Sequence, residues 1–408
     1  MKLTRAVTLS VSVLSICAIA GTPVVHAYVF DTTVPSAGGC PQLDRWSLST
    51  ANPLSREWST SLPLAPATIV TDAPAQSAAQ LTEIEQAITD SFSAWAGVTG
   101  TTFNAASYPG LIGPIVRTST QNACSNDSET NVDGVNTICF NQASDGFTTG
   151  VLAFTRVITA NAPGVSVGSS ATATFVGQIL DSDTLLCPNC NVTFATPAGL
   201  STTQGQGAYD LESILIHELG HWFGLDHSAV WRAIMFPYSP PPGQFLGDRP
   251  TTQTPDGPLS DDDRTAIRAL YPDPNDTVDV GSVAGRLVPA NPFALAAIPA
   301  TSAGKFVTGI IGGHIVVVDV DTGSVIAGTL SGWTCDASNS PLQFDGSFDI
   351  ERLPVGHTYM IYAEPLDGLV APGDFANALD TLCPQSGPSA CTLPPVNTNF
   401  NPRVVPSQ

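Results

Sequence analysis

Three histidines and one glutamate fall within eleven residues: His217, Glu218, His221 and His227, in the run Ile216-His217-Glu218-Leu219-Gly220-His221-Trp222-Phe223-Gly224-Leu225-Asp226-His227. On a helix, His217 and His221 lie one turn apart on the same face, so both imidazoles can reach one ion at about 2.0–2.1 Å. Gly224 lets the chain leave the helix through a backbone conformation that other residues resist, which brings His227 back toward the same point. Three neutral imidazoles leave the fourth tetrahedral position open for water, the arrangement of a catalytic zinc site and not of a closed structural one. Glu218 sits beside that opening, where a carboxylate can serve as general base. The other histidines are His26, His314 and His357; ordinary surface or core roles are the default for the last two.

The elements that must position this group are readable from periodicity. A helix over about residues 209–223 is apolar at Leu211, Ile214, Leu215 and Leu219 and stops at Gly224. An earlier amphipathic helix over residues 82–98 repeats Ile84, Ala87, Ile88, Phe92 and Trp95 at three to four residue steps. Short strands with loops fill residues 28–80 and again 103–200, where 137–140 and 151–157 are the clearest candidates for one sheet. A third helix begins at Ser260, which caps it, with Asp261, Asp262 and Asp263 in the first turn where the dipole favours negative charge. Consecutive acids on a helix diverge instead of surrounding an ion, so this cluster reads as structural. Pro272-Asp273-Pro274-Asn275-Asp276 is a linker, and the remainder is strand-like with turns at Asp321-Thr322-Gly323 and Phe344-Asp345-Gly346-Ser347-Phe348.

This pattern, followed by Ala233-Ile234-Met235-Phe236-Pro237-Tyr238, resembles the metzincin metallopeptidases and specifically the matrixins. The spacing from His227 to Met235 is similar to matrixin usage, as is Leu259-Ser260-Asp261-Asp262-Asp263 leading to Ile267 and Leu270-Tyr271. Arg45-Trp46, Phe92-Ser93-Ala94-Trp95 and Gly177-Gln178-Ile179 with Asp181 resemble the family's opening strand, first helix and substrate-side edge strand. The resemblance covers about residues 40–272. It implies an α+β fold: a metzincin catalytic domain over residues 28–275, with a mixed twisted sheet and three helices, then a small all-β sandwich domain over residues 276–408. Val283-Ala284-Gly285-Arg286 and residues 344–362 resemble the carboxypeptidase regulatory-like β-sandwich.

The implied function is a secreted zinc endopeptidase acting on protein or peptide substrates. One catalytic zinc ion is held by His217, His221 and His227, Glu218 is the general base, and Met235 supplies an apolar floor under the imidazoles. Pro237 and Tyr238 bound the substrate pocket, and substrate pairs with a strand edge near residues 177–183. Calcium is a further candidate ion, with Asp127, Asp133, Asp181 and Asp183 as candidate ligands. Three features depart from the family. No histidine lies between His26 and His217, so the second, structural zinc of the animal proteins is absent. The family's Pro-x-Tyr after the Met-turn is Pro237-Tyr238 without the spacer. Cys40, in Gly38-Gly39-Cys40-Pro41, matches the family's cysteine switch poorly. The alternative to an enzyme is a catalytically silent exported protein that keeps zinc and binds surfaces, and Glu218 argues against it.

Composition and termini agree with export. Residues 1–27 read as a signal peptide, with Lys2 and Arg5 before an apolar run and a small-residue cleavage site at Val25-His26-Ala27; a lipoprotein reading at Cys17 meets the bulky Ile16. No later stretch is long and apolar enough to span a membrane. The net charge of −21 repels phosphate backbones and anionic lipid, which excludes nucleic acid as a partner; oligomeric state is not readable. Of the cysteines beyond the signal, five precede the linker (Cys40, Cys124, Cys139, Cys187, Cys190) and three follow it (Cys335, Cys383, Cys391). Both counts are odd, so complete pairing requires a disulfide between the domains. Cys124 with Cys139 and Cys187 with Cys190 are the local pairs, and Cys40 is expected to join one of the distal three; the competing outcome leaves Cys40 free to cap the metal.

Overall fold

The computed structural model describes residues 29–36, 39–48, 56–59, 69–75, 77–104, 115–118, 133–140, 147, 150–166, 172–187, 192–247, 257–276, 279–291, 308–336, 340–366, 370 and 372–375. Among these are eighteen strands and three α-helices: β1 Thr32–Thr33, β2 Gln42–Leu43, β3 Arg45–Trp46, β4 Arg56–Ser59, β5 Ile69–Val70, α1 Ala78–Ala96, β6 Val116–Thr118, β7 Asn136–Phe140, β8 Ala153–Thr159, β9 Gln178–Leu186, β10 Phe194–Ala195, β11 Tyr209–Asp210, α2 Leu211–Trp222, α3 Asp261–Leu270, β12 Val280–Arg286, β13 His314–Asp319, β14 Val325–Leu330, β15 Thr334–Asp336, β16 Ser340–Gln343, β17 Ser347–Pro354 and β18 Tyr359–Glu364. The class is α+β, with a β-rich region after the third helix.

The main sheet runs β3-β9-β7-β4-β6 with parallel pairings, and β8 lies antiparallel on the other side of β9. This corrects the expected substrate edge. The stretch at residues 177–183 enters β9, all nine of whose residues are buried and whose two edges are already paired. The outer strand is β8, half-buried along its length, and among the described residues nothing pairs with its far edge.

Helices α1 and α2 pack against this sheet through one apolar cluster. α1 begins at Ser77, whose side chain accepts from the Gln80 amide, and it buries Ile84, Ile88, Phe92 and Trp95. The Trp95 indole N–H donates to the Ile216 carbonyl of α2 at 2.9 Å. Helix ends leave carbonyls without intrahelical partners, and α2 has them met by two distant side chains. Trp46 Nε1 donates to the Trp222 carbonyl at 2.9 Å, and the Tyr271 hydroxyl donates to the Phe223 carbonyl at 2.7 Å. The opening strand and the end of α3 thus hold the end of the helix that carries the histidines.

The β-rich region contains the β12–β17 pair, the sheet β14-β13-β18 and the β15–β16 pair. Its buried Ile315, Val317, Ile350 and Phe375 belong to the same apolar cluster as α2 and α3. The linker is pinned as well, since Arg352 Nη1 donates to the Asp276 carbonyl at 2.7 Å. Cys40 forms a disulfide with Cys335, so the expected bond from Cys40 to one of the three cysteines beyond the linker is present. Cys139 and Cys187 are also disulfide-bonded; their expected partners, Cys124 and Cys190, lie outside the described residues, as do Cys383 and Cys391.

Candidate metal centre and active site

Helix α2 starts at Asp210, whose carboxylate accepts the Ser213 amide at 3.0 Å. It buries Leu211, Leu215, Leu219 and Trp222, which turns His217 and His221 toward an open cleft of about 990 Å³. At its end Gly224 takes φ +99°, and a Cβ there would stand 2.0 Å from the Asp44 carbonyl oxygen. Only glycine satisfies both the left-handed backbone and that approach. The chain then turns back, and the Asp226 carboxylate accepts the His227 amide at 2.7 Å.

The three imidazoles converge, with ring centroids 5.0, 5.3 and 4.9 Å apart and one ligating atom from each within 4.8 Å of the others. Every Nδ1 is held by a main-chain carbonyl: His217 by Ile234 at 2.7 Å, His221 by Leu225 at 2.7 Å and His227 by Asp374 at 2.5 Å. A proton fixed on Nδ1 leaves each Nε2 lone pair for a metal. Burial pushes the His217 imidazole down to about 3, with His227 adding to the shift and the Ile234 carbonyl opposing it. His221 is held well below its usual range, by burial first and then by the other two rings. A neutral, all-nitrogen donor set of this geometry suits zinc.

Glu218 lies between the two helical histidines and is 4% exposed at the cleft. Burial raises its carboxyl to about 8, and the Thr155 hydroxyl of β8, donating to Oε2 at 2.8 Å, pulls it back.

The matrixin family model matches residues 68–272, half of the chain. The chain belongs to the matrixin family. Metalloendoproteinase 1 of Glycine max is similar to it, 44% identical over 64 residues, which are 16% of this chain and 17% of that relative. The chain therefore spans less than a fifth of the length of that curated protein.

In this matrixin the Met-turn is tied to α3. The Asp263 carboxylate accepts the Ile234 and Met235 amides at 2.8 and 3.1 Å while closing a capping box with Ser260. Asp262 accepts the Ser228 hydroxyl at 2.6 Å and the Gly328 amide of β14 at 2.6 Å. Burial and the Asp263 charge raise its carboxyl to about 7. Both acids have structural partners, which agrees with their reading as a helix start. Met235 is 2% exposed, and its sulfur lies where a Cβ on Gly220 would be, 2.1 Å away. Gly220 was not singled out from the sequence; a glycine inside a helix costs roughly 1 kcal/mol relative to alanine, and that cost marked a close approach.

Pro237 and Tyr238 line the cleft, and the exposed Tyr238 hydroxyl donates to the Asp374 carboxylate at 3.2 Å. Asp374 itself carried no sequence signal. Of the calcium candidates, Asp133 accepts the Val135 amide, Asp181 the Gly134 amide and Asp183 the Thr137 amide, and Asp127 lies outside the described residues. Among the described residues the histidine triad is the group able to hold an ion. Cys40, in its disulfide, is not a metal ligand.

Proposed function

We propose that this matrixin is a secreted zinc endopeptidase in which His217, His221 and His227 hold the metal and Glu218 moves the proton. The observation that carries the reading is the buried Glu218 carboxylate beside a convergent triad of neutral imidazoles, all facing one cleft. When bound, zinc supplies Lewis acidity that polarises the scissile carbonyl and acidifies water, and its charge favours the ionised form of Glu218. Glu218 takes a proton from the attacking water and delivers it to the leaving amine, first as base and then as acid. Thr155 donates to one oxygen of that carboxylate, which leaves the other for the water.

The free edge of β8 gives an extended substrate main-chain partners that do not depend on its sequence. Ile214, Phe236 and Leu246 line the cleft beside Pro237 and Tyr238, which suits an apolar substrate side chain. Residues 28–275 form the catalytic domain and 276–408 a β-sandwich similar to the carboxypeptidase regulatory-like module. Export is supported by the bonded cysteines, which fit an oxidising compartment. No helix among the described residues is long and apolar enough to cross a membrane.

The test is casein turnover by zinc-loaded wild type and Glu218→Ala. The variant is expected to retain zinc and lose about 10²–10⁴-fold in kcat. Comparable turnover by the variant assigns the base elsewhere, and no turnover by the wild type removes the peptidase reading.

A further inference from the structure

Two of the three imidazoles are oriented from inside the matrixin unit, by Ile234 and Leu225, but the third is not. His227 takes its Nδ1 partner from Asp374, 147 residues away in the second domain. His227 is also the ligand with the least restraint of its own. It stands in the loop after Gly224, where no helix limits its ring, and the terminal torsion of a histidine is broad.

We propose that the second domain completes the metal centre, with Asp374 as a positioning residue whose main-chain carbonyl fixes the ring and tautomer of His227. The proposal rests on the zinc reading of the triad. The turn that presents Asp374, Pro372–Phe375, is firmly seated. Phe375 is fully buried in the common apolar cluster with Val370 and Leu366, and the Asp374 carboxylate accepts the Tyr238 hydroxyl. The same domain reaches His227 from a second direction. The Gly328 amide binds Asp262, and Asp262 binds the hydroxyl of Ser228, the residue after the ligand. The Cys40–Cys335 disulfide also ties the same domain to the chain just ahead of β2 and β3. Partners of this kind on metal-bound histidines set metal affinity, and losing one costs typically about 10–100-fold.

The experiment removes the anchor and reads the metal. In the full-length protein, Phe375→Ala is expected to weaken zinc about 10–100-fold in a chelator competition and to alter the visible spectrum of the cobalt-substituted protein, while Phe375→Leu restores most of both. Ile350→Ala, an equally buried change in the second domain, controls for stability: it should lower the melting temperature and leave zinc affinity in place. Should Phe375→Ala fail to fold cooperatively, Asp374→Gly, which loosens the turn without touching the core, is expected to give a smaller loss in the same direction. Wild-type zinc affinity and an unchanged cobalt spectrum in the folded anchor variant would overturn the proposal. So would an equal loss of affinity in Ile350→Ala. These readouts do not depend on turnover, so a protein that binds zinc and cleaves nothing defeats the peptidase reading and leaves this one standing.

Discussion

The two sides of the metal centre are built differently. On the helical side, His217 and His221 are related by one turn of α2, and the same backbone that spaces them is clamped by Trp95, Trp46 and Tyr271. On the loop side, His227 depends on Gly224, on Asp226, on the Met-turn through the Ser228 amide and the Met235 carbonyl, and on Asp374 of the β-rich region. The first side is local and repeats at helical spacing. The second is assembled from residues spread between 224 and 374, so its geometry is a property of the tertiary fold. A ligand set drawn from both needs the whole molecule folded before the third imidazole arrives.

The harshest way to break the comparison is to delete ligands. His217→Ala, His221→Ala and His227→Ala are each expected to abolish activity and stoichiometric zinc, because two imidazoles do not replace three. Circular dichroism of all three should stay near wild type, since α2 is held by its apolar face. Zinc retained one to one by His221→Ala would sink the assignment of the site.

A milder change sharpens the contrast. Gly224→Ala puts a Cβ onto a left-handed residue and against the Asp44 carbonyl; the backbone cost is about 1–2 kcal/mol, and the collision adds to it. The expected result is lower stability in denaturant together with weaker zinc, read at His227 and not at the helical pair. An Ala variant as stable as wild type would mean that the turn after α2 is more adaptable than its contacts indicate.

The smallest effect concerns charge under that loop. Burial raises the Asp44 carboxyl to about 7, with the Thr33 hydroxyl opposing. Because the folded value lies above the unfolded one, this group's contribution to stability is complete below about pH 4 and is lost as pH rises through about 7. Asn avoids the buried charge and still accepts from Thr33. Zinc-loaded Asp44→Asn should therefore melt higher than wild type near about pH 8, by a margin that shrinks toward about pH 5. A constant difference at both values would show that Asp44 does not titrate in this range.

Legibility in the sequence followed the same division. The helical ligands, Glu218, the exit at Gly224 and the capping acids of α3 are local patterns, and their positions agree with the reading. The substrate edge at residues 177–183 rested on the resemblance of Gly177-Gln178-Ile179 with Asp181 to the family's edge strand, and the polar residues Gln178, Asp181, Ser182 and Asp183 do not contradict an exposed strand. In the fold they are buried: Asp181 and Asp183 accept the Gly134 and Thr137 amides, the Gln178 side chain accepts the Thr174 amide, and the Ser182 amide donates to the Asn136 side chain. Polarity there marks internal pairing, which composition cannot distinguish from exposure. Asp374 was beyond reach for another reason: a main-chain carbonyl has no residue type to announce it. The Cys40 bond to a cysteine beyond the linker was accessible because parity of cysteines on either side of the linker needs no local motif.

That bond closes residues 40 to 335 into a ring, a covalent circuit spanning a sequence separation of 295. A single cut anywhere on the ring, including the linker at residues 272–276, opens the circuit without producing two molecules. A nicked chain would run as one species on a non-reducing gel and as two after reduction. Its halves would stay at the effective concentration of a tethered pair, with the Asp374 turn still next to His227. A first cleavage on this ring therefore leaves both sides of the metal centre in one molecule.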